Sequence, residues 1–342
     1  MVRRGVNIWY ALQDLTLIRA PLNQESNRMR PYIRKAILGY SNVLFPLIEF
    51  RRSQSRPNVT GELTKIDFFL SFDLDYSRDI KLLPLLLAKL NQYHVKASFA
   101  CIGKFIELYP DEHRLILSEG HEILNHSYSH PNNDEINPHA YYTELNEQEQ
   151  FQEIQNMQEV SERILRYRPI GFRLPHFGSI VIVNMPKLYQ NLKSLGMKYD
   201  TSLLKFNTPK QSRDIYETGV KGIYEMAIST CPYHPFTACD SYHVFRSDRY
   251  VYRMIHKYRS FEATFIKLID VCYPRQEMIN VYLDPFDVLA NDSLDRIIEY
   301  AQPYCQFKAY EDVFRSEVTS PLKPVGRPRR LPLPSLPPSS LQ

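Results

Sequence analysis

The chain lacks a cysteine framework. Its five cysteines, Cys101, Cys231, Cys239, Cys272 and Cys305, are scattered and odd in number, and no two form a Cys-x-x-Cys pair. This excludes a disulfide scaffold and a cysteine zinc site, and it fits a reducing compartment. No stretch reaches the roughly eighteen apolar residues of a membrane-spanning helix. Residues 1–9 open with Arg3 and Arg4, but Gln13 and Asp14 interrupt the apolar stretch behind them, a poor pattern for a signal peptide. The expected location is cytoplasmic. Trp occurs once, against 24 Tyr and 18 Phe. A Tyr excess suits a sugar-binding cleft, but Tyr is also a common packing residue, and packing is the stronger reading of the excess alone. No internal repeat is visible.

At 342 residues, with 44% hydrophobic and 23% charged side chains, the chain can bury a sizeable core. Its length accommodates one large α/β domain with additions, or two smaller domains. The net charge of +4 is unevenly spread. Residues 1–56 sum to +7 and residues 321–342 to +4, which leaves −7 over 57–320. Basic ends can meet anionic lipid or nucleic acid, but solvated termini account for them as well, and no nucleic-acid partner is expected.

Three regions follow. Residues 1–64 form a basic, partly helical extension. Within it Ile33, Ala36, Ile37, Tyr40, Leu44, Leu47 and Ile48 recur at helical spacing, and Pro46 should kink or end that helix. The helix either packs on the main domain or makes peripheral membrane contact. Residues 51–58 read as a linker. Residues 65–316 form the main domain. Residues 317–342 form a Pro-rich tail, with seven prolines in the last 22 residues, and should be disordered.

Within 65–316, strand and helix patterns alternate. The run 66–72 suits a strand buried on both faces. A helix is expected over 79–94, with Pro84 tolerated only in its first turns. A buried strand at 95–102, a helix at 105–118 broken at Pro110, a short strand at 121–124 and a long polar helix at 144–167 come next. Short strands recur near 171–172, 198–199, 222–227 and 278–283. Repeated β-then-α order implies a parallel sheet, open or closed into a barrel, with its chemistry at the strand ends.

The polar motifs fall at those ends. Asp73 and Asp75, two apart in Ser71-Phe72-Asp73-Leu74-Asp75, point to one side if the strand continues through them. One can hold a metal while the other stays free as a base. His126 and His130, four apart in His126-Ser127-Tyr128-Ser129-His130, face the same way on a helical turn. Carboxylate and imidazole together suit a zinc-like divalent cation with an open coordination position.

These runs, with Glu119-Gly120-His121-Glu122 before the histidines, Gly171-Phe172-Arg173-Leu174-Pro175-His176-Phe177-Gly178 and Tyr199-Asp200-Thr201-Ser202-Leu203, resemble the polysaccharide deacetylase family. That family is carbohydrate esterase family four, the NodB-type homology domain, and the similarity runs over roughly residues 65–310. The resemblance implies an α/β fold, a distorted (β/α) barrel with fewer than eight full units. It implies Asp73 as the base, Arg173 as its holder, Asp75, His126 and His130 as metal ligands, and the His176 backbone N–H as an oxyanion donor. In the family's first motif the two acids are usually adjacent, whereas here Leu74 separates them.

One departure matters. The resemblance leads to a late histidine that protonates the leaving amine, but the run here is Asn280-Val281-Tyr282-Leu283-Asp284-Pro285. Asp284 is the candidate acid if its pKa is raised. His176, His234 or His243 could enter from loops instead. The segment around 231–243 reads as an insertion over the cleft, or as a Pro-rich capping loop. The expected function is metal-dependent hydrolysis of a non-peptide C–N bond, N-deacetylation of an N-acetylated sugar or glycan, on a carbohydrate or small amide substrate. The alternative is a non-catalytic glycan-binding or regulatory protein that keeps the metal site without the acid.

Overall fold

The computed structural model describes residues 44–139, 141–176, 184–206, 213–241, 261–290 and 292–315. Most of the expected N-terminal helix, the Pro-rich tail and His243 lie outside these residues.

Nine strands build one sheet: β1 (Ile66–Asp73), β2 (Ser98–Cys101), β3 (Glu122–Asn125), β4 (Gly171–Phe172), β5 (Tyr199–Asp200), β6 (Ile215–Glu217), β7 (Tyr224–Met226), β8 (Ile279–Leu283) and β9 (Cys305–Lys308). The path runs β6-β7-β5-β4-β3-β2-β1-β8, and β9 also pairs with β1. All pairings are parallel except β6–β7. Just past β7, Ser229 N–H donates to the Asn280 carbonyl of β8 at 2.8 Å, and Asn280 N–H donates to Ser229 Oγ at 3.0 Å. These two bonds link the segment after β7 to β8 and so curl the sheet into a distorted barrel.

Period-two alternation sorts the β1 side chains. Ile66, Phe68, Leu70 and Phe72 join the apolar layer between sheet and helices, whereas Phe69 packs with Ala100, Leu124, Tyr199 and Tyr310 inside the barrel. The outer layer is completed by α3 (Leu83–Gln92), α4 (Gly103–Leu108), α5 (Pro110–Ser118), α6 (Glu147–Leu165), α8 (Phe261–Cys272) and α10 (Ser293–Ala301). Helix α7 (Met185–Ser194) covers β4 and β5 through Leu188 and Leu192.

Two expected helices divide at proline. The 79–94 helix is α2 (Ser77–Lys81) followed by α3, with Pro84 in the first turn of α3; the 105–118 helix is α4 and α5, with Pro110 opening α5. Proline is tolerated there because first-turn N–H groups have no partner within the helix.

The extension differs from its reading. Pro46 lies in the first turn of α1 (Phe45–Gln54), and this helix runs into the stretch read as a linker. It buries Pro46, Glu49 and Ser53, while Leu44 and Ile48 are exposed, so the apolar spacing does not mark the buried face. Phe50 meets Phe206 edge-on at 6.2 Å, and Arg56 pairs with Glu277 at 3.0 Å. These contacts hold α1 and the turn after it on the barrel.

Candidate metal centre and catalytic pair

β1 ends at Asp73, and Asp75 lies two residues further on, past the last paired residue. β3 ends at Asn125 and delivers His126 directly beyond it. No helical turn links His126 to His130. Left-handed backbone at Ser127 (φ 65°) and His130 (φ 46°) folds the segment back until the rings lie 4.9 Å apart. Asn132 and His176 are left-handed too, at φ 66° and 50°. Non-glycine residues in this region cost of order 1–3 kcal/mol each, and such strain gathers at sites that need a fixed geometry. Two bonds brace the turn: Asn125 Oδ1 accepts Ser127 N–H at 2.9 Å, and Ser127 Oγ accepts His130 N–H at 3.0 Å.

Asp75 Oδ1 lies 3.3 Å from His126 Nε2 and 3.5 Å from His130 Nε2. One ligand atom from each of the three residues falls within 4.8 Å of the others. Asp75 Oδ1 and both ring nitrogens of His130 are buried without hydrogen-bond partners. Orphaned buried polar atoms are costly, and one oxygen and two imidazole nitrogens aimed at a common point suit a divalent cation. The far nitrogen of His126, Nδ1, is 2.8 Å from the Arg173 carbonyl, a bond that leaves Nε2 for a metal. Burial drives His130 down to about 3, so it is neutral at physiological pH. Burial would raise Asp75, but His130 and His126 outweigh it and hold the carboxyl below its usual range.

Arg173, just past β4, is fully buried. Its Nη1 donates to Asp73 Oδ1 at 2.5 Å, its Nη2 to Ser71 Oγ at 2.9 Å and to Tyr310 Oη at 2.8 Å, and its Nε to the Thr201 carbonyl at 3.3 Å. Tyr310 in turn donates to Asn280 Oδ1 at 2.6 Å. Burial pushes the Asp73 carboxyl up, against the opposing pull of Arg173.

His176 brings its imidazole as well as its backbone to the site. Its ring centroid is 4.7 Å from that of His130, and on the other side it meets Tyr141, which is 43% exposed, at 5.6 Å. Burial lowers its pKa. Asp284 opens α9 (Pro285–Leu289) and is buried; Ser241 Oγ donates to its Oδ2 at 2.9 Å and accepts its N–H at 2.8 Å. Burial, then the Asp75 charge, push the Asp284 carboxyl well above its ordinary value. His234 is engaged in its own loop, where its Nδ1 accepts Phe236 N–H at 3.2 Å.

Residues 60–199 match the polysaccharide deacetylase family model. Over this segment the chain is similar to that family. Over 122 residues the chain is 34% identical to the peptidoglycan-N-acetylglucosamine deacetylase of Bacillus cereus, a match covering 36% of this chain and 40% of that protein. Over 93 residues it is 33% identical to the peptidoglycan-N-acetylmuramic acid deacetylase PdaC of Bacillus subtilis, covering 27% of this chain and 18% of that one. The chain thus spans less than half the length of these curated relatives. A Mycobacterium smegmatis structure assigned to the polysaccharide deacetylases superposes with a TM-score of 0.56 at 16% identity, over 80% of this chain and 99% of that one. At that identity the likeness is one of fold.

Sequence reasoning did not single out Ser71, Asn280 or Tyr310 as partners of the Arg173 pair. Asn280 carried a usable signal, since it is the one amide side chain in the otherwise apolar and aromatic run of β8.

Proposed function

We propose that this chain is a metal-dependent amidohydrolase that removes the acetyl group from an N-acetylated sugar or glycan, with zinc as the cation held by Asp75, His126 and His130. The observation that carries this reading is the buried Asp73–Arg173 pair beside three converging ligand atoms. The names of the Bacillus relatives support a glycan substrate.

A bound zinc ion would act as a Lewis acid on the amide carbonyl and lower the pKa of water at the site. Asp73 accepts the proton from the attacking water. Arg173 fixes its carboxylate, and positive charge at the adjacent site adds to Arg173 in keeping it ionised. The His176 backbone N–H donates to the developing oxyanion, a contact worth about 3 kcal/mol in comparable sites. Asp284 takes the place of the late histidine: a carboxyl kept protonated by burial can pass its proton to the leaving amine. Tyr141, exposed beside His176, offers a flat face to a sugar ring.

The second reading is a glycan-binding or regulatory protein that keeps the metal site but does not turn over. Asp284 standing where the family resemblance leads to histidine favours it. Acetate release from a panel of N-acetylated amino sugars by metal-loaded protein separates the two. The hydrolase reading expects release that Asp73→Asn abolishes; tight glycan binding without release by the wild type defeats it. For location we propose the cytoplasm, supported by five free, buried cysteines and testable by cell fractionation.

A further inference from the structure

Acid gathers beside the centre. Asp75 and the buried Asp284 interact there with Asp79, whose Oδ1 accepts Phe286 N–H at 3.1 Å, and with Asp287, both also buried. One exposed cation lies close by in a built setting. Arg78 of α2 is exposed, and its guanidinium carbon lies 4.6 Å from the Tyr76 ring centre and 4.7 Å from that of Phe286. Tyr76 directly follows the ligand Asp75, and Phe286 lies two residues after Asp284, so the two rings come from the segments that carry these two carboxylates. Arg78 makes no ion pair among the described residues. Glu135, which reaches this turn, accepts Ser77 N–H at 2.9 Å rather than taking up the guanidinium.

Aromatic contact occupies the face of a guanidinium and leaves its in-plane N–H donors for a ligand. It also restricts a side chain that would otherwise lose rotamer entropy on binding. A restrained fork without an ion-pair partner among the described residues is suited to a planar or tetrahedral oxyanion. The body of the chain between 57 and 320 is net −7, so an acidic ligand needs such a local counter-charge to approach.

We propose that Arg78, held by Tyr76 and Phe286, is a specificity subsite for an anionic group on the glycan, a carboxylate or a phosphate carried next to the N-acetyl sugar. This rests on the reading of the centre as a glycan site, and it assigns Arg78 to substrate selection rather than to the bond-breaking step.

The test is calorimetric titration of metal-loaded wild type, Arg78→Gln and Arg78→Lys with three probes: a neutral N-acetylglucosamine oligomer, an N-acetylmuramic acid oligomer and N-acetylglucosamine 1-phosphate. Arg78→Gln should weaken at least one anionic probe about fivefold or more and leave the neutral oligomer unchanged. Arg78→Lys should recover part of the loss, and the affected probe identifies the group as carboxylate or phosphate. Equal affinity of Arg78→Gln and wild type for both anionic probes, equal weakening of neutral and anionic probes, or no binding of either anionic probe to wild type overturns the proposal. The readout is binding, so a failure of acetate release defeats the hydrolase reading without deciding this one.

Discussion

Arg173 shows how much a single side chain in this barrel is asked to do. Its planar fork reaches Asp73, Ser71 and Tyr310 at once, and its own carbonyl engages His126. A lysine ammonium offers no such fork. Arg173→Lys is therefore expected to bind metal normally while kcat falls on the order of a hundredfold, because Asp73, the proposed base, is no longer held in line. Steady-state kinetics beside metal analysis checks this, and unchanged kcat would remove Arg173 from the machinery. For the ligands, His126→Ala and His130→Ala should each lose stoichiometric zinc by elemental analysis while retaining cooperative unfolding. Full metal content in both variants would defeat the assignment of the site.

Among the elements, the short strand β4 has the least room. A Cβ on Gly171 would fall within the Tyr199 ring, which is fully buried and donates to Glu122 Oε1 at 2.5 Å. The ring has nowhere to go, so Gly171→Ala should destabilise the fold by about 1–3 kcal/mol, read by denaturant unfolding. Helix α6 is secured differently. Asn146 Oδ1 accepts the N–H groups of Gln148 and Glu149, both at 3.0 Å, and Glu149 returns a bond to the Asn146 N–H at 2.8 Å. Asn146→Ala should cost about 1 kcal/mol, read by denaturant unfolding.

The same scale shows what could be read in advance. The buried run of β1 and the break at Pro110 follow from hydrophobic period and from the chemistry of proline, whereas the 79–94 segment, read as one helix, divides at Leu82 so that Pro84 falls in a first turn. The buried face of α1 does not, because Phe206 and Glu277, to which it docks, come from far along the chain. The histidine pair was legible as a pair but not as a shape: its helical spacing is overridden by left-handed backbone at Ser127 and His130. Tyr310 was not legible as a partner at all. It lies 137 residues from Arg173, and only the pairing of β9 with β1 brings the two together.

At the level of the whole molecule, the barrel interior carries buried acid that couples folding to pH. Glu122 accepts from Tyr199, from Ser98 at 2.7 Å and from the Glu311 N–H at 3.0 Å, yet burial and then the Glu311 charge raise it from 4.5 to about 8. A folded-state value above the unfolded one means that the native state holds the proton more tightly. Its stabilising contribution is complete below about pH 4.5 and is lost as pH rises through about 8. Glu122→Gln, which cannot ionise, should lack this part of the decline. The unfolding free energies of variant and wild type should shift relative to each other in the variant's favour between those limits, and parallel profiles would show that Glu122 does not titrate in this window.

The position of Tyr310 also sets an order of events during synthesis. Asp73, Asp75, both histidines and Arg173 leave the ribosome well before the strand that carries this hydroxyl to the guanidinium. A nascent chain stalled short of 305 holds every candidate ligand but lacks both β9 and Tyr310, so the Asp73–Arg173 pair takes its final geometry only after almost the whole domain has been translated.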